Sequence, residues 1–339
     1  MDKYLIIRAL TILARQAQEE VKQRFLQNRH GLYDPLNHIV EKEHNFSIRL
    51  ANEAMDSEVI PVGKDDEGNT NDYLGYETVP VIAPRIREKK SISPSQILAG
   101  ISGDEKTQAI EVMKILKNEM TSLIEKANLF HEILVSKALQ NATLQYKVKE
   151  NGVTSTKTID LKSPEGHMVN YSAVADKKIV DVIKEGQTKI GKRFKADTLY
   201  LGSNQVAKFY AEVGTKLSQI HVDGVTQKLD GLEIGGYRYL GRYDGMDVFE
   251  YTAECMVAGT STPLIDPNNI VVTSTQMKWK KYHGAINDAD AIKENAHIGK
   301  VFSKSWEQKD PSVQWLLIES DSISVPEDAS GIYCASMKA

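Results

Sequence analysis

The sequence has little of several features that define common protein classes. It contains only two cysteines, Cys255 and Cys334, which excludes a disulfide framework and, from cysteine alone, a tetrahedral zinc site. Such low cysteine usage indicates a reducing compartment. No stretch approaches the ~20 consecutive apolar residues that a membrane helix requires. Arg8 and Arg15 interrupt the apolar N-terminal stretch, so the sequence predicts neither a membrane protein nor a signal peptide.

An excess of positive charge is also absent. The 339 residues include 42 lysines and arginines and 46 aspartates and glutamates, giving a net charge of −4 and an isoelectric point near 6.1. A protein whose main task is to bind DNA regardless of sequence is normally strongly basic. We therefore infer that direct nucleic-acid binding is not the main task of this chain. Its composition is otherwise that of a globular protein, and its length predicts about two compact units.

No catalytic or metal-binding motif is complete. Residues 186–193 (GQTKIGKR) match a phosphate-binding loop except at Arg193, where a Ser or Thr must bind Mg²⁺. Residues 64–72 look like a calcium loop but fail the EF-hand spacing at its first and last ligand positions. Asp288 and Asp290 resemble a metal-binding DxD pair, but the chain lacks the pattern of a nucleotide-binding sheet. The sequence therefore predicts no catalytic residue, no metal and no cofactor.

Hydrophobic periodicity predicts one unusually long helix. Between 103 and 140 apolar residues recur every three or four positions, and neither glycine nor proline follows position 103 in this stretch. At 1.5 Å per residue such a helix spans roughly 57 Å, more than the diameter of a small domain. Further helices are predicted at 3–28, at 173–186 and from Ser203, which we expect to be an N-cap.

Strand patterns follow the long helix. The alternating stretch 143–161 contains an Asn-Gly turn at Asn151 and Gly152, a strong hairpin signal. The apolar runs at 198–201 and 270–275 predict buried strands. We expect a final hairpin at 299–325, with Trp306 and Trp315 on its two arms.

Charge is segregated in the first third of the chain. Residues 51–84 predict two weak extended segments around a turn-rich tip, and within 51–78 eight acidic residues stand against Lys64 alone, a local charge of −7. A basic stretch of local charge +3 follows at 85–90. A hairpin this poor in apolar residues must lie against something else. The segregation predicts contact between subunits, with these candidate interface residues: Asp65, Asp66, Glu67, Arg85, Arg87, Lys89 and Lys90.

Taken in order, these elements resemble the lambda-type capsid protein E family of tailed phages. The resemblance depends on the long helix and on several spaced motifs. The motifs are PVIAPRIREKKSISP at 80–94, DTLYLGSNQVAKFYA at 197–211, YLGRYDGMDVFEYTAECMV at 239–257, LIDPNNIVVTSTQ at 264–276, GAINDADA at 284–291 and KSWEQKDPSVQWLLIESDSISVP at 304–326.

The resemblance implies an α+β fold of the Hong Kong 97 type. Its parts would be an N-terminal arm at 1–50, an extended hairpin loop at 51–84, a peripheral domain with the long spine helix at 85–165, an axial domain at 166–278 and a return to the peripheral domain at 279–339.

The function implied by the resemblance is that of a major capsid protein, not an enzyme. The chain would self-assemble as hexamers and pentamers in the host cytoplasm into the icosahedral head shell of a virion. Implied partners are a scaffolding protein or protease, a portal, a decoration protein and packaged double-stranded DNA held without sequence-specific contacts; no membrane is involved. Two alternatives remain: an encapsulin-type bacterial nanocompartment, and a metal- or nucleotide-dependent enzyme.

Overall fold

A computed structural model provides the structure. It describes residues 25–32, 35–43, 45–51, 76–93, 95, 105–150, 152–174, 177–214, 221–222, 225–226, 233–234, 236–257, 259–310 and 313–338. The helices are α1 (Phe25–Arg29), α2 (Glu105–Asn141), α3 (Ile179–Ile190), α4 (Ser203–Val213) and α5 (Ala289–Lys293). None of these described helices has an apolar stretch long enough to cross a membrane.

Within the described residues, twenty strands accompany the helices. They are β1 (His38–Val40), β2 (Asn45–Ala51), β3 (Tyr76–Ile82), β4 (Arg85–Ile92), β5 (Thr143–Glu150), β6 (Val153–Asp160), β7 (Met168–Tyr171), β8 (Thr198–Leu201), β9 (His221–Val222), β10 (Val225–Thr226), β11 (Glu233–Ile234), β12 (Tyr237–Tyr243), β13 (Met246–Tyr251), β14 (Glu254–Val257), β15 (Thr260–Pro263), β16 (Asn269–Thr273), β17 (Trp279–His283), β18 (Phe302–Gln308), β19 (Val313–Pro326) and β20 (Ile332–Met337).

The largest sheet has seven strands in the order β11-β12-β13-β8-β16-β20-β7 and is covered on both faces. Successive strand residues point to opposite faces, so Leu199 and Leu201 of β8 pack against α3 and α4, while Tyr200 packs in the core that contains the C-terminal part of α2. All four residues of β8 are buried. This explains why the strand reads as a continuous apolar run rather than an alternating one.

Helix α3 packs very closely on this sheet because Gly186 faces it. A Cβ at Gly186 would lie 2.7 Å from the ring of Tyr333 and 2.9 Å from Val272, both on the sheet. Gly186 and Gln187 are helical, so residues 186–193 do not form a phosphate-binding loop after a strand.

Helix α2 connects the two main cores. Its C-terminal residues, among them Leu134 and Ala138, are fully buried against the seven-stranded sheet. Its middle residues Met120, Leu123 and Ile124 form a separate cluster with β4 and β19. Burying each such side chain contributes roughly 1.5–3 kcal/mol. The predicted long helix is thus confirmed, with bounds within two residues of the prediction.

The second sheet is organised around the 14-residue strand β19. Its N-terminal half lies between β18 and β4, and its C-terminal half pairs with β17, which pairs in parallel with β1. Trp306 and Trp315 are directly opposite each other on β18 and β19, and their rings stack at 6.2 Å. The predicted final hairpin is confirmed.

Two-stranded hairpins complete the described part of the chain. Strands β5 and β6 pair around a two-residue turn in which Gly152 has φ +82°, as the Asn-Gly signal predicts. Strands β2 and β3 pair from Asn45 opposite Ile82 to Ala51 opposite Tyr76. The paired strands that flank the acidic segment therefore begin six residues before the predicted boundary at 51.

Two predictions about helix ends were wrong. The helix predicted at 173–186 is α3, which begins at Ile179 and ends at Ile190, because Lys178 has an extended backbone and the apolar residues that face the sheet start only at Ile179. Ser203 is not the N-cap of α4. The cap position is occupied by Gly202, and no side chain caps the helix.

Candidate assembly surface

Strand β2 precedes the acidic segment in sequence, and we call it the base of that segment; it is firmly attached to the body of the protein. On β2 the side chains of Phe46, Ile48 and Leu50 are buried, and those between them are exposed. The ring of Phe46 stacks on Tyr282 at 5.4 Å, and the main-chain N–H of Ala51 donates to the carbonyl of Glu327 at 2.8 Å. These contacts fix both the position and the direction of the base.

The basic candidates lie side by side on the strand that follows. Strand β4 pairs with β19 along its whole length and presents Arg85, Arg87 and Lys89 on its exposed face. The structure therefore brings the four basic candidates together on one strand. The acidic candidates Asp65, Asp66 and Glu67 lie outside the described residues.

The two arginines already bind carboxylates of their own chain. The Nε atom of Arg85 lies 2.5 Å from Glu319 Oε1, and the Nε atom of Arg87 lies 3.4 Å from Glu319 Oε2. Arg87 also reaches Asp288 at 3.5 Å. Glu319 is fully buried, so the arginines supply the charge that a buried carboxylate requires. Both arginines therefore have a structural role within the subunit.

Asp288 and Asp290 form an ion-pair site rather than a metal site. The Nζ atom of Lys304 lies 2.7 Å from Asp288 and 3.1 Å from Asp290. Burial alone would raise the pKa of Asp288, but hydrogen bonds from Lys304 and from two main-chain N–H groups keep it below its ordinary value. The same carboxylate caps α5. No group of three or more His, Cys, Asp or Glu side chains suited to a metal ion occurs among the described residues.

The lysines of β4 are placed differently from the arginines. Lys90 forms an ion pair with Glu119 of α2. The Nζ atom of Lys89 lies 4.9 Å from the ring centre of Trp315, within the range of a cation–π contact. Lys89 has no carboxylate partner among the residues that the structure describes, so it is the basic candidate whose charge is most available to another subunit.

A buried polar layer joins α2 to β19. Nε2 of His131 lies 3.0 Å from the hydroxyl of Ser322, and Nδ1 lies 2.9 Å from that of Ser324. Burial lowers the pKa of His131 well below its ordinary value, and the nearby charge of Lys281 lowers it further. A neutral imidazole donates from one nitrogen and accepts at the other, so it can hydrogen-bond both serines. This layer fixes the rotation of α2 above the sheet.

A family model shows which proteins share these features. The model described as phage major capsid protein E matches residues 58–336. The chain belongs to this family. It is therefore a structural capsid protein of a phage or prophage rather than an enzyme, and its place is the shell of the virion, which consists of many copies of such a protein.

Solved structures agree with the family. Over 98% of both chains, this capsid protein is similar to a protein assigned as the capsid protein of a prophage of E. coli CFT073, with a TM-score of 0.72 and 15% identity. A phage-related protein from Bordetella bronchiseptica RB50 gives a TM-score of 0.53 at 10% identity over 97% of this chain and 96% of the other. These likenesses show the fold, and the predicted Hong Kong 97 type is confirmed. No curated protein sequence matches the chain.

The encapsulin alternative depends on a structural likeness alone. The SrpI encapsulin of Synechococcus elongatus PCC 7942 matches with a TM-score of 0.47 and 8% identity over 91% of this capsid protein and 86% of that chain. A TM-score at this level does not separate one shell protein from another, whereas the family model names phage capsids.

Sequence reasoning missed the polar residues that connect distant elements. His131 and Ser322 are 191 residues apart, and the stacked pair His38 and His283 is 245 residues apart. No local pattern marks such pairs. The one sequence signal of such a polar contact is the alternation of serines in β19, at Ser320, Ser322 and Ser324, which is unusual for a buried strand.

Proposed function

We propose that this capsid protein forms an icosahedral head shell from hexamers and pentamers, and that its acidic segment joins neighbouring subunits. Residues 51–84 are the extended loop, 85–165 with 279–339 the peripheral domain, 166–278 the axial domain and 1–50 the arm. The observation that carries the proposal is the charge pattern: a segment of local charge −7 is followed in sequence by strand β4, which presents Arg85, Arg87 and Lys89 on its exposed face.

The neighbour's strand β4 is the proposed partner of Asp65, Asp66 and Glu67. Asp65 follows Ala51 by 14 positions, and an extended chain of that length reaches roughly 45 Å. Such a reach favours a contact with another copy over a return to the base of the same loop. Each exposed ion pair contributes only about 0–1 kcal/mol, but a shell repeats the contact at every subunit.

We also propose the remaining partners from the family membership. A scaffolding protein or a protease controls assembly in the host cytoplasm, a portal occupies one vertex, and a decoration protein binds the outside. The shell encloses double-stranded DNA without reading its sequence.

Charge reversal tests the contact between subunits. Asp65→Lys with Asp66→Lys should reduce the yield of assembled particles, measured by sedimentation at low salt, because like charges then face β4. Adding Lys89→Glu should restore part of the yield. Lys89 suits this reversal better than Arg85 or Arg87, whose loss would leave buried Glu319 without its counter-ions.

A matched control separates this contact from a general effect of charge. Asp181→Lys with Glu254→Lys makes the same change of charge at two exposed positions and should leave the yield unaltered. If the loop variant assembles like the parent, the acidic segment has no role in assembly. If the loop variant fails to assemble and adding Lys89→Glu does not restore assembly, the acidic segment contacts a residue other than Lys89.

A further inference from the structure

A strongly basic segment lies in the proposed axial domain. Residues 177–195 contain seven lysines and arginines against two acidic residues, whereas the whole chain has a net charge of −4. The segment comprises α3 and the turn that follows it. Helix α3 buries one face against the sheet, so its lysines lie on the remaining surface. The distribution therefore places a local positive field on a chain that is otherwise acidic.

Two hollows adjoin the turn at 191–195. One has a volume of about 580 Å³ and is lined by Gln187, Lys192, Arg193, Lys195 and Asp244, among others. The second has a volume of about 390 Å³ and is lined by Glu165, His167, Lys189, Lys192, Arg193 and Ser330, with Pro164. Lys192 and Arg193 line both hollows, and we call the two together the α3 turn site.

The lysines of the α3 turn site are available to a ligand. Lys189, Lys192 and Lys195 have no carboxylate partner within ion-pair distance among the described residues. Arg193 is held by Asp328, with Nη1 2.9 Å from Oδ2. The Nζ atom of Lys189 lies over Gly166, where a Cβ would come within 2.8 Å of it. The site thus combines one fixed guanidinium with three available ammonium groups.

Two further groups in the second hollow are consistent with an anionic ligand. The hydroxyl of Ser330 has no hydrogen-bond partner among the described residues, although the side chain is largely buried. Burial lowers the pKa of His167, and the charges of Lys189 and Lys192 lower this pKa further. A hydrogen bond with the carbonyl of Ile332 has the opposite effect and raises it. The lysines therefore produce a positive potential inside the hollow.

We propose that the α3 turn site binds the phosphate groups of double-stranded DNA inside the shell. This inference rests on the proposed function, which places DNA within a shell of this protein. The ligand is the phosphate backbone and not the bases, because lysine ammonium groups act as point charges without the paired geometry that reads base edges. The contact is therefore independent of sequence.

The lining of the site favours nucleic acid over an acidic protein segment. Interfaces between proteins are depleted in lysine and enriched in aromatic and apolar anchors. The α3 turn site has three lysines and an arginine, and its larger apolar members are only Phe194 and Pro164. Glu165 and Asp244 line one hollow each, and their carboxylates reduce but do not cancel the positive charge.

Binding of a labelled 30-base-pair DNA duplex to the full-length protein tests the site. The variant Lys189→Gln, Lys192→Gln, Lys195→Gln should weaken binding about tenfold or more at low salt. It should also lower the slope of log K against log salt by 2 to 3, since each phosphate contact contributes ~0.9. The single variant Lys192→Gln should lower the slope by about 1. The control Lys147→Gln, Lys149→Gln, Lys157→Gln removes three exposed charges from β5 and β6 and should bind like the parent.

Three results would overturn the proposal. The first is unchanged DNA affinity in both α3 variants, and the second is an equal loss of DNA affinity in the control variant. The third is displacement of the duplex by polyglutamate at equal charge concentration, which would assign the site to an acidic protein. Electron microscopy of the same variants distinguishes a failure to bind DNA from a failure to assemble into shells. We expect the triple variant to assemble normally, whereas parent protein that binds DNA yet never assembles would contradict the proposed function and not this site.

Discussion

The surroundings of His30 oppose a charge on its ring. It is 3% exposed, and neither ring nitrogen has a hydrogen-bond partner among the described residues. Its ring centre lies 5.3 Å from that of Trp279 and 6.5 Å from that of Tyr200. Burial, with a further contribution from the charge of Arg29, lowers its pKa to about 3. The folded protein therefore holds His30 neutral at every pH above that value.

The variant His30→Phe should make the protein less sensitive to acid. The unfolded chain binds a proton at His30 below pH 6.5 while the folded chain does not until about pH 3, so the free energy of unfolding falls as pH falls through this window. At pH 5 the loss due to His30 is about 2 kcal/mol. Urea unfolding at pH 7.5 and pH 5 should show that the variant lacks this part of the loss.

The parent protein, measured at the same two pH values, is the reference for this loss. An equal pH dependence in His30→Phe and the parent would show that His30 is accessible to protons in the folded state.

At the scale of elements, α2 contributes residues to two separate hydrophobic clusters. Leu123 lies in its middle, is 1% exposed and packs in the cluster formed with Ile92, Leu316 and Ile318. Its main-chain N–H is part of the helical hydrogen-bond ladder. A change at this position therefore affects both the helix and the packing of the helix on β4 and β19.

Leu123→Pro should abolish assembly. Proline removes one helical hydrogen bond and clashes with the preceding turn, at a cost of about 3 kcal/mol or more. The helix content measured by circular dichroism should fall, and sedimentation should show no assembled particles. Leu123→Met keeps the volume and should cost less than about 1.5 kcal/mol, with normal assembly. Normal shells from the proline variant would show that a continuous α2 is not required.

The elements that the sequence predicted are those whose signal is local. Helix α2, the β5-β6 hairpin and the β18-β19 hairpin each have their periodicity or turn within one short stretch, and all three are confirmed. The predicted start of α3 was wrong because the helix begins where Ile179 packs on the sheet, and that contact depends on the fold. The parallel pairing of β1 with β17 joins residues about 240 positions apart, and no local pattern predicts it.

The candidate assembly surface was predictable only in part, for the same reason. The sequence places four basic residues on one strand: Arg85, Arg87, Lys89 and Lys90. It does not show that the two arginines form ion pairs with Glu319, which lies more than 200 positions further along the chain. The α3 turn site depends on distant parts of the chain as well, since Gly166, Asp328 and Ser330 meet the turn only in the fold.

At the scale of the whole molecule, several features require other copies of the chain. The acidic segment follows the anchored strand β2 in sequence, and β4 presents an exposed basic face. Together with the family membership, these features describe a subunit whose stable state is an assembly. The mass of the isolated chain, 37.8 kDa, is therefore the reference against which assembly is measured.

Electron microscopy of the purified full-length protein tests the central claim most directly. We predict closed shells, capsomers or sheets in negative stain, with masses far above the 37.8 kDa of one chain. Raising the salt concentration to 1 M should reduce their number, because the Debye length falls to ~3 Å and the contacts between charged segments weaken. Uniform particles of 37.8 kDa at high protein concentration, both alone and with the proposed scaffolding protein present, would contradict the account.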